Sequence, residues 1–490
     1  MPTQAELLSF FENVEGLVWG WPTLILLVIT GVYLTGLLRG LQFRLLVPSL
    51  KLAFFSRNDH QGAGDISHFQ ALMTALAATV GTGNIAGVAT AISFGGPGAV
   101  VWMWLTGFMG MATKYTEGVL GVYFRRRNSF GEMNGGPMYY IEDGLAAYPL
   151  LAKLKINKLL AVAFAAIMMV SALSLGNMVQ SNSVADVLSS SFGVNTLLTG
   201  VVLAVLTGAV ILGGIKRIGT VASGLVPLMI LLYVGGGTAV LIANFHALPD
   251  AFRLIFDGAF NGTDAVAGGF LGAVVKEVMK YGLSRGIFSN ESGLGSSPIA
   301  AACAKTRHPV EQALVSMTQT FIDTIVVCTF TALILVVTGM WATANPHEIT
   351  GAALTAKAFG SVLNISGGLP LGEILVTISL VFFAYSTLLG WCCYGEKAVA
   401  YLFGDKAINP YRMVFIVVVA LGAVTQLKLA WTIASVLTAL MMLPNLIGLL
   451  LLSPLVARLT KDYFNNEETG EGYAIKPFHH LYEEQLTVNK

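Results

Sequence analysis

The sequence predicts an all-α membrane protein with eleven transmembrane helices, and three observations support this fold class. Hydrophobic residues make up 55% of the 490-residue chain and charged residues only 11%, whereas soluble domains carry about 25% charged residues. Apolar stretches of about 20 residues recur, each long enough to cross a hydrocarbon layer of roughly 30 Å. These stretches lack the alternation of barrel strands, and in lipid a helix satisfies its own backbone hydrogen bonds.

The predicted spans follow one another with mostly short connections. They lie at 17–38, 68–95, 98–124, 158–190, 196–213, 217–243, 286–304, 311–340, 369–394, 411–427 and 431–456. Basic residues are concentrated in alternate connections, for example at Arg125, Arg126, Arg127 and Lys153. Because basic loops stay in the cytoplasm, we expect the N-terminus outside and the C-terminus in the cytoplasm.

The spans group into two sets of five after one additional N-terminal helix. The predicted divisions are the extra helix and its cytoplasmic loop (1–60), a first five-helix repeat (61–245), an outer loop with an amphipathic helix (246–285), a second repeat (286–457) and a cytoplasmic tail (458–490). Since five is an odd number, the two sets have opposite orientations in the membrane. Such inverted repeats are typical of secondary transporters.

Two of the spans are interrupted at corresponding places of the two repeats. The second span contains the run 81–87 (GTGNIAG), and the seventh contains the run 288–295 (FSNESGLG). Glycine costs about 1 kcal/mol relative to alanine inside a helix, so these runs favour local unwinding. Freed backbone groups at membrane depth must find a partner, which an ion or a substrate can supply. The alternative is close helix packing through small residues.

Polar side chains in two other spans add candidate ligands. Asn177 and Gln180 are three residues apart in the fourth span and share a helix face, where they either join helices or orient a bound zwitterion. Ser386 and Thr387 in the ninth span offer hydroxyl oxygens that suit a hard cation. Trp391 follows one turn later, as the wall of a pocket or as an interfacial tryptophan.

Charged residues inside the predicted spans include Lys114, Glu117, Glu291 and Asp323. Lys114 and Glu117 are three residues apart, and this spacing predicts a structural ion pair. Glu291 and Asp323 are also at membrane depth, where ionisable groups usually line a pathway or serve a partner. We expect each to serve a structural role or an ion site, and a proton relay is the weaker alternative.

Several classes of function are excluded. A net charge of +1 without a basic block argues against a nucleic-acid partner. The sequence contains no HExxH, GxSxG or nucleotide-binding loop, so neither an enzyme nor a nucleotide-driven pump is expected. The four cysteines lie in apolar sequence without metal-ligand spacing. Of the functions considered, transport driven by an ion gradient is the one that is not excluded. No cofactor is expected besides the coupling ion.

The motifs resemble the alanine or glycine:cation symporter family (sodium:alanine symporters) of the amino acid/polyamine/cation superfamily. The resemblance is carried by the two interrupted runs, by 95–104 (GGPGAVVWMW), by 134–140 (NGGPMYY), and by the Gly176–Gln180 and Gly390–Trp391 segments. It implies a leucine-transporter-like fold of five-plus-five inverted repeats. It also implies a bacterial or archaeal cytoplasmic-membrane protein that takes up alanine or glycine with sodium by alternating access, able to work as a monomer.

Carried over position by position, the resemblance also implies the site residues. Substrate contacts are expected at Thr82, Gly83, Gln180, Asn182, Phe288, Ser289, Gly293 and Trp391, and sodium contacts at Thr79, Val80, Asn84, Ser386 and Thr387. The sequence departs from the family pattern at Ser292 and at the pair Cys392–Cys393, which we expect near the pocket. The alternatives are a proton-coupled symporter of another small amino acid, an amino-acid channel and a sensor.

Overall fold

The computed structural model describes residues 4–55, 62–261, 271–343, 351–364, 370–425 and 428–469. The predicted tail beyond residue 469 and part of the predicted outer loop, 262–270, lie outside these ranges. Apart from one two-stranded hairpin, the regular structure of the described ranges is helical.

The first half of the chain consists of helices and this hairpin. Its helices are α1 (Gln4–Val18), α2 (Trp21–Leu37), α3 (Leu41–Arg44), α4 (Leu46–Phe55), α5 (His68–Thr79), α6 (Val88–Gly95), α7 (Ala99–Tyr123), α8 (Pro137–Leu145), α9 (Pro149–Lys153), α10 (Ile156–Leu173), α11 (Val179–Phe192), α12 (Thr196–Ile211) and α13 (Gly214–Ala243). π-Helical turns at Gly83–Gly87 and Ser174–Met178 join α5 to α6 and α10 to α11. Strands β1 (Arg126–Arg127) and β2 (Met133–Asn134) pair antiparallel.

The regular elements of the second half, within its described ranges, are helices. Its helices are α14 (Leu248–Asn261), α15 (Leu271–Asn290), α16 (Ser297–Ala302), α17 (Pro309–Thr320), α18 (Thr329–Val337), α19 (Met340–Thr343), α20 (Gly351–Gly360), α21 (Leu371–Phe403), α22 (Ile408–Val424) and α23 (Lys428–Thr469). A third π-helical turn, Phe321–Cys328, joins α17 to α18. Short 3₁₀ turns at Phe245–Ala247 and Asp405–Ala407 precede α14 and α22.

Within the described ranges, seven helical stretches are long and apolar enough to cross a membrane. They are Glu6–Leu37, Ile156–Phe192, Gly214–Ala243, Pro309–Val337, Leu371–Phe403, Asp405–Val424 and Trp431–Asn465. The pair α5 and Gly83–Gly95, bent by 52°, forms an eighth broken stretch. The chain is therefore a multi-pass membrane protein, and the count of eleven spans and the inverted repeat stay predictions.

The seventh span differs from its predicted bounds. Helix α15 begins at Leu271, whereas the sequence placed the segment up to residue 285 in an outer loop. Lys276 and Arg285 belong to this helix, where the Lys276 ammonium lies over the Trp21 ring and the Arg285 guanidinium over the Phe288 ring. The predicted amphipathic helix of that region is present as α14.

The two broken helices pack at the centre of the bundle. Helix α7 contacts α15, α16 and α17, and α21 contacts α5, α10 and α11. A capping box starts α5, because the Ser67 hydroxyl accepts from the Gln70 N–H and the Gln70 side chain accepts from the Ser67 N–H. This arrangement fixes where the first broken helix begins.

Candidate functional site

The first interruption lies between α5 and α6. Helix α5 ends at Thr79, and the following π-helical turn begins at Gly83. The Gly81 N–H donates to the Asn84 side-chain oxygen at 2.9 Å, so the asparagine caps the freed backbone. A Cβ on Gly81 would lie 2.7 Å from the Thr387 hydroxyl oxygen, which explains why glycine is needed there. The predicted break of the second span is confirmed.

The second interruption lies between α15 and α16, at residues 291–296. Glu291, Gly293 and Gly295 have positive φ values of 56°, 88° and 79°. Glycine tolerates this conformation, whereas a glutamate adopts it at a cost of about 1–2 kcal/mol. The break is therefore held open by its surroundings, and the interruption predicted from the glycine pattern is confirmed.

Asp323 connects the two broken helices. It lies on the π-helical turn after α17 and is fully buried. One carboxylate oxygen accepts from the Asn84 side-chain amide at 2.7 Å. The other accepts from the hydroxyls of Ser289, at 3.0 Å, and Thr324, at 2.8 Å. A buried carboxylate thus bridges the first break and the end of α15, the arrangement expected of a functional group at membrane depth.

Two predicted substrate residues line a cavity at one end of the bundle. The cavity has a volume of about 650 Å³, and Thr82 and Asn182 are part of its wall. Its remaining wall includes Asp186, Lys357, Glu373, Thr377 and Trp431. The first break is therefore connected to an open vestibule, formed by these residues.

Other predicted substrate residues lie deeper, where the two broken helices touch. A Cβ on Gly83 would lie 3.4 Å from the Ser289 Cα and 3.6 Å from the Phe288 ring. Gln180 donates from its amide nitrogen to the Leu175 carbonyl at 3.2 Å, and its side-chain oxygen is buried without a partner. The structure thus leaves an unsatisfied acceptor close to the turn between α10 and α11.

Gly293 is not brought together with the other predicted contacts. Its carbonyl accepts from the Asn445 side chain at 2.8 Å, and a Cβ there would meet Leu27 and Leu446. The family resemblance implied Gly293 as a substrate contact, together with Ser289 of the same run. The positive φ of Glu291 turns the chain toward α2 and α23 between these two positions.

Trp391 is an interior residue. It is 1% exposed, packs against the turn containing Gly176 and lies beside the Glu291 carboxylate. The alternative of an interfacial tryptophan is therefore wrong. Its neighbours Cys392 and Cys393 belong to a different cluster, with Phe415 and Val419, so they lie on the far side of α21 and not against the pocket as expected.

Gly176→Ala should displace Trp391, because the added Cβ would lie 2.2 Å from the Trp391 Cβ. Overpacking of this kind costs about 1–3 kcal/mol. We expect a lower melting temperature and weaker amino-acid binding, both measurable by thermal shift. Gly224→Ala is the matched control, since nothing lies within 4 Å of a Cβ there. Unchanged melting and binding in Gly176→Ala would contradict this placement of the tryptophan.

The residues predicted for a second sodium contact lie together between α5 and α21. The Ser386 hydroxyl donates to the Ala77 carbonyl at 3.2 Å, and the Thr387 hydroxyl faces Gly81. The Thr79 hydroxyl accepts from the Gln319 amide at 3.1 Å, and Val80 is the first residue after the helix. The structure therefore brings all four residues to the first break, while their role in binding sodium stays a prediction.

Arg125 closes the opposite end of the two broken helices, a role that the sequence did not indicate. Its guanidinium donates to the carbonyls of Ala302, at 3.0 Å, Ala304, at 2.6 Å, and Ala63, at 2.7 Å. Ala302 is the last residue of α16, Ala304 follows that helix, and Ala63 precedes α5. Backbone pairing of Ala63 with Thr306 closes the same end.

Broken helices around a buried carboxylate, open at one end and closed at the other, define a membrane transporter. The profile of the sodium:alanine symporter family matches residues 4–477. The sodium/alanine symporter AgcS of Methanococcus maripaludis is 52% identical over 458 residues, 94% of this chain and 97% of that protein. The amino-acid carrier protein AlsT of Bacillus subtilis is 33% identical over 467 residues, 94% of each chain. The chain belongs to the sodium:alanine symporter family.

Membership of this family makes the protein a cation-coupled amino-acid symporter and not an enzyme. The resemblance seen in the sequence motifs is confirmed over nearly the whole chain. Amino-acid transport also agrees with a site built from amide, hydroxyl and backbone groups.

Proposed function

We propose that the protein takes up alanine or glycine together with sodium by alternating access around the two breaks. The observation that carries the proposal is the Asp323 carboxylate, which links Asn84 of the first broken helix to Ser289 of the second. The similarity to a sodium/alanine symporter over 94% of the chain supports the choice of ion and substrate.

The amino acid is proposed to bind between the first break and Gln180. Backbone N–H groups at Thr82 and Gly83 start the half-helix that continues as α6, and such N-termini favour a carboxylate. The unpartnered Gln180 oxygen can accept from the ammonium group. The close approach of Gly83 to Ser289 leaves little room for a side chain, which supports a small substrate.

Sodium is proposed to bind beside Asp323, where a carboxylate and neighbouring oxygens suit a hard cation. Asn84 then contributes as the sequence resemblance implied, and Asp323 supplies the negative charge that the implied set lacked. The oxygens of Thr79, Val80, Ser386 and Thr387 form the proposed second sodium contact. Sodium bound beside Asp323 would stabilise the two breaks in the geometry that binds the amino acid.

The vestibule is proposed to face outside. It lies at the end of the bundle where α11 ends and α21 begins, and the distribution of basic residues places that end outside. Arg125 then closes the cytoplasmic end, so the molecule is proposed to be in an outward-open state. The closed end also argues against a channel.

Thr82→Val and Gln180→Ala test the proposed amino-acid site. Each substitution removes a side-chain group proposed to bond to a charged end of the amino acid, the Thr82 hydroxyl or the Gln180 amide. Such a hydrogen bond contributes about 1.5–3 kcal/mol, so alanine binding in sodium should weaken at least tenfold. Binding is measured by thermal shift of the purified protein with alanine or glycine in sodium, potassium or choline salts. Thr238→Val is the control, since that hydroxyl bonds only to its own helix at Val234. Wild-type affinity in both site variants would refute the placement.

A further inference from the structure

Glu117 is a fully buried carboxyl behind the second break, outside the proposed amino-acid and sodium sites. It lies on α7 and is 0% exposed. One side-chain oxygen accepts from the Gly295 N–H at 3.0 Å and from the Asn445 amide at 2.7 Å. The other oxygen, Oε2, is buried without a hydrogen-bond partner. A charged carboxylate would leave this second oxygen desolvated and unpaired.

The predicted ion pair between Lys114 and Glu117 is not a direct contact, although the two charges attract each other. The two residues have helical spacing, but the Lys114 ammonium donates to the Ser297 hydroxyl at 2.9 Å, and Glu117 bonds to Gly295 and Asn445. Both side chains find their hydrogen-bond partners elsewhere: Lys114 at Ser297, and Glu117 at Gly295 and Asn445. Each residue therefore holds a different part of the second break against α7.

The charges around Glu117 do not balance. The Lys114 ammonium interacts with the carboxylates of Glu117, Glu291 and Asp323. Elements packed around Glu117 also present Tyr140 and Tyr394, which are neutral, together with the Asn445 amide. Even with sodium at Asp323, one ammonium faces two carboxylates, so a fully ionised cluster would carry an excess negative charge.

We propose that Glu117 binds a proton at Oε2 in this conformation and releases it when the second break moves. A proton from water forms an O–H bond at Oε2, which converts the carboxylate to a neutral carboxylic acid and removes the excess charge. An uncompensated buried charge costs several kcal/mol, more than an unpaired hydroxyl. Glu291 is the poorer choice, because the Ser296 hydroxyl donates to its carboxylate and neither of its oxygens is left buried without a partner.

The protonation state of Glu117 would then control how tightly the second break is held against α7. The neutral acid still accepts from the Gly295 N–H through its other oxygen and holds the break in place. The ionised form would place a charged oxygen without a partner beside the second break, which favours separation of α7 from the break. Glu117 is thus a positioning residue, and this consequence for transport rests on the proposed function.

Infrared spectroscopy of the purified full-length protein tests the protonation directly. At neutral pH the wild type should show the C=O stretching band of a buried protonated carboxyl group. Glu117→Gln should lose one carboxyl equivalent of this band, whereas Glu142→Gln, whose carboxylate accepts from Tyr401 near the surface, should retain it. Absence of the band in the wild type, or its full retention in Glu117→Gln, would overturn the proposal.

The pH profile of sodium-driven alanine uptake is the second readout. Wild-type uptake should fall at alkaline pH, by up to about tenfold per pH unit once the group has lost its proton. Glu117→Gln keeps an oxygen acceptor for the Gly295 N–H and cannot ionise, so its profile should lack this fall. Identical profiles would overturn the proposal. A wild type that shows no sodium-driven uptake at any pH would instead refute the proposed function, and the infrared result alone would decide protonation.

Discussion

Asp323→Asn should lower sodium-driven alanine uptake by at least about a hundredfold. The substitution would leave the buried sodium ion without its carboxylate partner, and the loss of such a partner costs about 3–5 kcal/mol. Asparagine has nearly the same shape as aspartate, and its side-chain oxygen can still accept from Asn84. It lacks the negative charge proposed to hold sodium. Its amide nitrogen would also face the Ser289 and Thr324 hydroxyls, which now donate to the carboxylate. The largest loss should be in sodium affinity.

We compare the wild type and Asp323→Asn by their initial uptake rates in proteoliposomes. The rates are measured over a range of sodium concentrations. Asp462→Asn is the matched control, because Asp462 is exposed on α23. Thermal melting shows that each variant is folded. If Asp323→Asn keeps both the wild-type rate and the wild-type sodium dependence, sodium does not bind beside this carboxylate.

Arg125→Ala should open the end of the bundle opposite the vestibule. The substitution removes three charge-assisted hydrogen bonds to the carbonyls of Ala63, Ala302 and Ala304. Each such bond contributes about 1.5–3 kcal/mol, so the population open at this end should rise tenfold or more. Arg125→Lys should show the same direction of change, because an ammonium lacks the planar fork that reaches several carbonyls.

Cys303 reports on this opening. It is fully buried beside Ala302 and Ala304, with its thiol against the Met133 carbonyl. Its reaction with a membrane-permeant maleimide, followed by peptide mass spectrometry, should be at least about tenfold faster in Arg125→Ala. Arg126→Ala is the control, because that arginine pairs with Asp143 at the exposed surface. Equal labelling of Cys303 in wild type and Arg125→Ala would show that Arg125 does not close this end.

The sequence predicts the parts of the fold that depend on local composition. Glycine runs at 81–87 and 288–295 lead to two broken helices in the structure, because unwinding follows from backbone preferences. Long apolar stretches such as Leu371–Phe403 follow from hydropathy alone. The family can also be identified from the sequence, because its motifs consist of the same glycines and amides.

Features that depend on side chains from distant segments could not be predicted. The sequence places Asp323 inside a span, but only the packing of the helices shows that it joins Asn84 and Ser289. Helical spacing suggested a Lys114–Glu117 pair, whereas the second break provides other partners for both. The three π-helical turns have no clear signal in the sequence, although such turns are frequent at functional sites.

Proteoliposome transport with imposed ion gradients tests the central claim most directly. Vesicles containing the purified protein are given an inward sodium gradient, an inward proton gradient or neither, and labelled alanine and glycine are followed over time. The account predicts accumulation above the external concentration with the sodium gradient alone, abolished by Asp323→Asn. Accumulation with the proton gradient alone would contradict sodium as the coupling ion. No accumulation above protein-free vesicles under either gradient would contradict coupled amino-acid uptake itself.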